Sequence, residues 1–86
     1  MKYTKYNGWV NYATFAAYSW LTSDYRVYDY LQSVLPTLSR LAQIKAITRC
    51  IGLKQMHVNI ANDIQGSNNN LRHIHKRHIV DVILDI

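Results

Sequence analysis

Apolar residues recur along this chain at helical rather than strand spacing, and polar caps and breakers divide them into segments. Asn11 is a good N-cap for the run Tyr12 to Leu21, because its side-chain oxygen can accept an orphan backbone N–H. That run is apolar almost all round, the signature of a central helix packed on several sides. Thr22-Ser23-Asp24 supplies a loop and a second cap, after which Val27, Tyr28, Leu31, Val34 and Leu35 fall on one helical stripe. Pro36 suits the first turn of a third helix, with Leu41, Ile44, Ile47 and Ile51 along one side and Gly52 as its stop. A fourth helix is predicted over 53–65, burying Met56, Ile60 and Ile64. The break at 66–70 ends in Asn70, which can cap a last helix from Leu71 to Leu84, with Leu71, His75, Ile79, Val82 and Ile83 inward. No stretch alternates cleanly over several residues, so strands are not expected. The predicted fold is all-α, a compact single domain over 1–86 of four or five short helices, preceded by a turn segment over 1–10.

Length and composition narrow the class. Eighty-six residues leave room for one domain, and ten aromatics argue against intrinsic disorder. No apolar run reaches the roughly 18–20 residues that span a bilayer, and the opening Met1-Lys2-Tyr3-Thr4-Lys5 does not read as a signal peptide, so no membrane partner is expected. A single cysteine, Cys50, excludes an internal disulfide and fits a reducing, cytoplasmic setting.

The net charge of +5 is unevenly spread: residues 1–35 carry +1 and residues 36–86 carry +4. All seven Tyr, both Trp and the one Phe fall within the first 30 residues. An aromatic half that builds the core and a basic half that supplies a surface are expected, as two faces of one domain.

Residues Tyr6 to Phe15 then carry a recognisable pattern. Asn7, Gly8, Trp9, Asn11, Tyr12 and Thr14 match an opening of the form Asn-Gly-Trp-x-Asn-Tyr-Glu-Thr-Trp, and Trp20 lies where a later Trp would fall. This resembles a recurring opening of small phage and plasmid proteins. The stretch Asn70 to Ile74, with Ile79-Val80-Asp81, is loosely similar to their last helix. Ala13 and Phe15 replace the Glu and Trp of the pattern. The resemblance implies an origin in a mobile element and an anti-defence role of the anti-CRISPR kind; it implies no reaction. Physically the motif reads as a turn at Asn7-Gly8, an anchor at Trp9, a cap at Asn11 and a buried Tyr12.

Candidate chemistry is sparse. His73-x-His75-x-x-His78 has a spacing at which His75 and His78 could share a metal, with Asp81 a turn further on, but His73 turns away at about 100° per residue. His75 is expected as a core histidine, Cys50 as a small buried hydrophobe, and no metal or cofactor is expected. Asp81 and Asp85 face Arg77 as a solvated stripe, and no Gly-rich phosphate loop is present. The expectation is a protein that is not an enzyme. Its contact residues are expected to be basic, at Lys45, Arg49, Arg72, Lys76 and Arg77. A second apolar row on the last helix (Ile74, Val80, Leu84 and Ile86) is expected to be exposed, with Val80 and Leu84 making apolar contact with a partner or a second copy of the chain. The leading expectation is a phage accessory protein that inhibits a host defence complex, protein or ribonucleoprotein, by stoichiometric binding. The alternative is a small basic nucleic-acid-binding module.

Overall fold

A computed structural model describes residues 8–65 and 70–84 of the chain. Among them five α-helices follow one another: α1 (Tyr12–Ser23), α2 (Tyr25–Val34), α3 (Arg40–Ile51), α4 (Lys54–Ile64) and α5 (Lys76–Leu84). Short 3-10 turns stand at Leu35–Thr37 and Leu71–His73. The described residues contain no strand, and the all-α bundle predicted from the pattern is what forms.

Local chemistry sets most of the starts. The Asn11 side chain accepts from the Thr14 N–H at 2.8 Å, and Asp24 accepts from the N–H groups of Arg26 and Val27 at 3.0 and 3.3 Å. Asp24 alone separates α1 from α2, so one residue ends the first helix and caps the second. Gly8 lies at φ 93°, a left-handed conformation open to glycine, which lets the chain turn before Trp9.

Two starts fall later than the sequence pattern predicts. Pro36 opens no helix; it lies in the 3-10 turn, and Ser39 caps α3 instead. The last helix begins at Lys76 rather than Leu71. Asn70 and His73 close a capping box on the short turn, the chain extends at Ile74, and the His75 Nδ1 accepts the His78 N–H at 3.2 Å to begin α5. His75 is therefore an exposed capping residue and not a core histidine.

One core joins all five helices, and α1 packs against each of the other four. Leu21, Leu31, Leu35, Ile47, Ile60, Ile79 and Val80 are fully buried, as are Ala13, Ala16 and Ala17 of α1. Small residues on α1 let its neighbours approach closely. The aromatics, expected to fill this core, instead form a half-buried layer over it, with Trp9, Tyr12, Tyr18 and Trp20 packed against its edge. Tyr25 and Tyr30 leave it altogether, at 78% and 42% exposure.

The buried face of α3 is also rotated from the predicted one. Gln43, Ala46, Ile47, Cys50 and Ile51 point inward, whereas Leu41 is exposed. Gln43 is admitted because its Nε2 donates to the Leu35 carbonyl at 2.8 Å, which closes the end of α2 against α3. On α4 the predicted row of Met56, Ile60 and Ile64 is buried as expected.

Candidate functional site

The residues of the N-terminal motif meet the start of α5. Asn11 Nδ2 donates to the His73 carbonyl at 2.8 Å. The buried Thr14 hydroxyl donates to Asn11 Oδ1 at 2.7 Å and accepts the His75 N–H at 2.8 Å. Trp9 lies with its centroid 4.8 Å from Tyr18 and 4.5 Å from His78, and meets the edge of Phe15 at 6.1 Å. Tyr12, expected to be buried, is half-buried with its hydroxyl on Asp63 Oδ1 at 2.6 Å, while Trp20 Nε1 reaches Asp63 Oδ2 at 3.0 Å. One carboxylate of α4 thus holds two rings spaced along α1. Asn11, Tyr12, Thr14 and Trp9 all spend polar or aromatic groups on contacts within the bundle; Asn7 of the motif lies outside the described residues.

The His75 and His78 rings meet edge-on with centroids 6.3 Å apart, and the three histidines of 73–78 do not converge on one point. His73 Nδ1 accepts the Asn70 N–H at 2.9 Å, and His75 Nδ1 is committed to its cap. Among the described residues no group of three His, Cys, Asp or Glu side chains is placed to hold a metal ion. His78 is buried, and desolvation lowers its pKa; the nearby His75 pushes in the same direction and Asp81 opposes both. Burial raises the Cys50 thiol, with Arg49 opposing, and burial followed by Tyr28 raises the Tyr18 phenol.

The five basic residues do not form one face. Lys45 and Arg49 are exposed on α3; Arg72 and Arg77 are exposed and Lys76 is half-buried at the start of α5. That second group is tied by Thr14 and His75 to the first turn of α1. Arg49 lies instead beside the turn between α1 and α2, at the other end of a helix about 18 Å long. Asp81 does not join an Arg77 stripe, for its carboxylate pairs with Arg40 at 2.9 Å. Asp85 lies outside the described residues.

The apolar row needs correction. Val80 is fully buried and Ile74 nearly so, and Leu84 is half-buried against the core. The cause is the delayed start of α5, which seats Val80 with Ile79 and Ile83 under α3 and α1. Val80 cannot touch a partner in this fold. Ile86 lies outside the described residues.

Exposed apolar surface coincides elsewhere with cations that form no ion pair among the described residues. A groove of about 460 Å³ opens between the first turns of α2 and the junction of α3 with α4. Its lining combines the buried Val27 and Cys50 with the exposed Leu53, Tyr30, Arg26 and Arg49. Leu53 is 51% exposed. The Asp24 carboxylate also borders the groove, where it is engaged with the N–H groups that it caps. A second depression of about 510 Å³ shares Asp24, Arg26, Val27 and Leu53 and continues to Trp20, Gln55 and Asn59. Of this lining, Arg49 is among the contact residues expected from the sequence, and Arg26, Tyr30 and Leu53 are not. The only signal was that Arg26 and Tyr30 lie four apart and off the core stripe of α2.

Fold and site together define a small all-α bundle with an amphipathic, cationic trough. Comparison with family models, curated proteins and solved structures gives no match to this chain.

Proposed function

We propose that this chain is an accessory protein of a phage or other mobile element that acts by stoichiometric binding, without turnover, to inhibit a host defence complex such as a CRISPR effector. The observation that carries the binding reading is the trough: exposed Arg26 and Arg49 stand over exposed apolar surface at Leu53 and Tyr30. Apolar area with a charged rim is what a protein contact needs. The resemblance of Asn7 to Thr14 to openings of small phage and plasmid proteins supports the setting. Arg72, Lys76, Arg77 and Lys45 provide further cationic contacts outside the trough, and a ribonucleoprotein target would offer phosphates to them.

The test is expression of the chain in host cells that carry one defined defence system at a time, followed by phage plating. Restored plating against at least one system, with the tagged chain bound to that system's complex in fixed ratio, is expected. Unchanged plating against every system, with no complex bound, overturns the reading.

Nucleic-acid binding is the second reading, favoured by Tyr25 and Tyr30 standing exposed on either side of Arg26 in sequence, where rings and guanidinium could stack on bases. Micromolar binding to free DNA or RNA with a steep log-salt slope would support it over the first.

A further inference from the structure

Both depressions beside the turn between α1 and α2 share four lining residues, so they form one continuous trough. It runs from Tyr30 and Arg49 past Leu53 to Gln55 and Asn59. Such a length suits an elongated occupant better than a compact ligand. Its shared middle holds apolar Val27 and Leu53 beside Arg26 and Asp24, and Arg49 stands in the half that Tyr30 lines. Neither Arg26 nor Arg49 makes an ion pair with any described residue, and Lys54 stands exposed beside Leu53. The one carboxylate at the rim, Asp24, is turned to backbone N–H groups. With Asp24 counted, the rim still carries a net positive charge, two guanidiniums and the Lys54 ammonium against one carboxylate.

We propose that the trough docks an acidic amphipathic segment of a protein partner, with aliphatic side chains on Val27, Cys50 and Leu53 and carboxylates on Arg26 and Arg49. This rests on the stoichiometric-binding reading and names the surface that performs it. Guanidinium groups match carboxylates bidentately, and a helix laid in a groove supplies apolar anchors and flanking acids at regular spacing. A single nucleic-acid strand fits less well. Two arginines neutralise few phosphates, and the trough's two rings, Tyr30 and Trp20, line different depressions with Val27 and Leu53 shared between them.

The test uses fluorescence anisotropy with the full chain and three labelled probes. One is a peptide of about four helical turns with Leu on one face and Glu on the other. The second carries Lys at every Glu position, and the third is a thymidine single strand of matching length. The acidic peptide is expected to bind. The double variant Arg26→Glu/Arg49→Glu, and separately Leu53→Asp, should weaken that binding by roughly tenfold or more, about 1.4 kcal/mol. Ser33→Glu/Val82→Glu, at exposed positions that line neither depression, should change it by less than about twofold. Trp20 borders the trough, so its emission should shift on saturation. If circular dichroism finds the charge reversals unfolded, Arg26→Gln/Arg49→Gln replaces them, with a loss of at least roughly threefold expected.

Equal binding of the Lys peptide, no binding of the acidic one, or indifference to the trough substitutions overturns the proposal. So does tighter binding of the single strand that the same substitutions abolish, which would assign the trough to nucleic acid. Phage plating separates the two levels. Protection retained by Arg26→Glu/Arg49→Glu removes the trough and leaves the inhibitor reading, whereas no protection by the native chain removes the inhibitor reading whatever binds the trough.

Discussion

Thr14→Val replaces a hydroxyl by a methyl of nearly the same size at a fully buried position. The substitution keeps the shape of the first turn of α1 and removes two hydrogen bonds, one to Asn11 Oδ1 and one from the His75 N–H. Asn11 Oδ1 retains the Thr14 N–H as a donor, so its loss is partial. The His75 N–H is left facing a methyl in a part-buried site. An unsatisfied buried donor costs about 1–3 kcal/mol, and the forfeited bond to Asn11 adds about 0.5–1 kcal/mol. The expected loss is therefore about 1.5–4 kcal/mol, against a total stability on the order of 4–13 kcal/mol for a chain of this length. At roughly 4–8 °C per kcal/mol, Tm should fall by about 6–32 °C. Urea unfolding followed by circular dichroism is the assay, with the denaturant slope unchanged so that the midpoint reports stability. Thr14→Ser is the control. It keeps the hydroxyl and loses one methyl, for about 1 kcal/mol. The reasoning predicts that Val costs more than Ser. If Ser costs more, the site is held by packing, and the network between α1 and the start of α5 is of secondary importance.

Three further outcomes follow from named contacts. Tyr12→Phe should cost about 0.5–1.5 kcal/mol, and Asp63→Asn more because it weakens the bonds to both Tyr12 and Trp20; a shift in Trp emission for Asp63→Asn but not for a distant surface change checks this. His78 has its pKa lowered chiefly by burial, so the folded state favours the neutral ring; its contribution is intact above about pH 6.5 and declines as pH falls through the lower folded value, and His78→Leu should flatten that limb of a stability–pH curve. Val80→Ala should cost about 2–3 kcal/mol through lost burial and a cavity, while leaving partner affinity per folded molecule unchanged; a melt and a titration on the same sample test both.

Much of the helical framework was legible because its signals are local. Asn11 and Asp24 cap helices that start just after them, and Met56, Ile60 and Ile64 lie on the face that their spacing defines. The pattern misled where a distant partner decides. Five residues ahead of α5 look helical, yet Thr14, 61 positions away, captures the His75 N–H and holds the chain extended there. Gln43 reads as a surface residue until the Leu35 carbonyl is placed beside it. Aromatic content misled in a different way: alanines on α1 leave no room between helices for large rings, so the rings spread over the edge of the core. The trough was illegible for a similar reason. Its lining comes from the end of α1, from α2, from the end of α3 and from α4 with the residue before it, and no local pattern brings Arg26 to Arg49.

The bonds that join Asn11 and Thr14 to residues 73–75 also order events during synthesis. A chain emerges from the ribosome N-terminus first, at about 5–20 residues per second. The first turn of α1 is made early, but the carbonyl of His73 and the N–H of His75 arrive some sixty positions later. Until then Thr14 faces water or an unformed neighbour, and Trp9 has no His78 to pack on. The earliest-made part of the bundle is thus completed by the latest, so a stalled chain ending before residue 73 would carry α1 with its first turn unsealed.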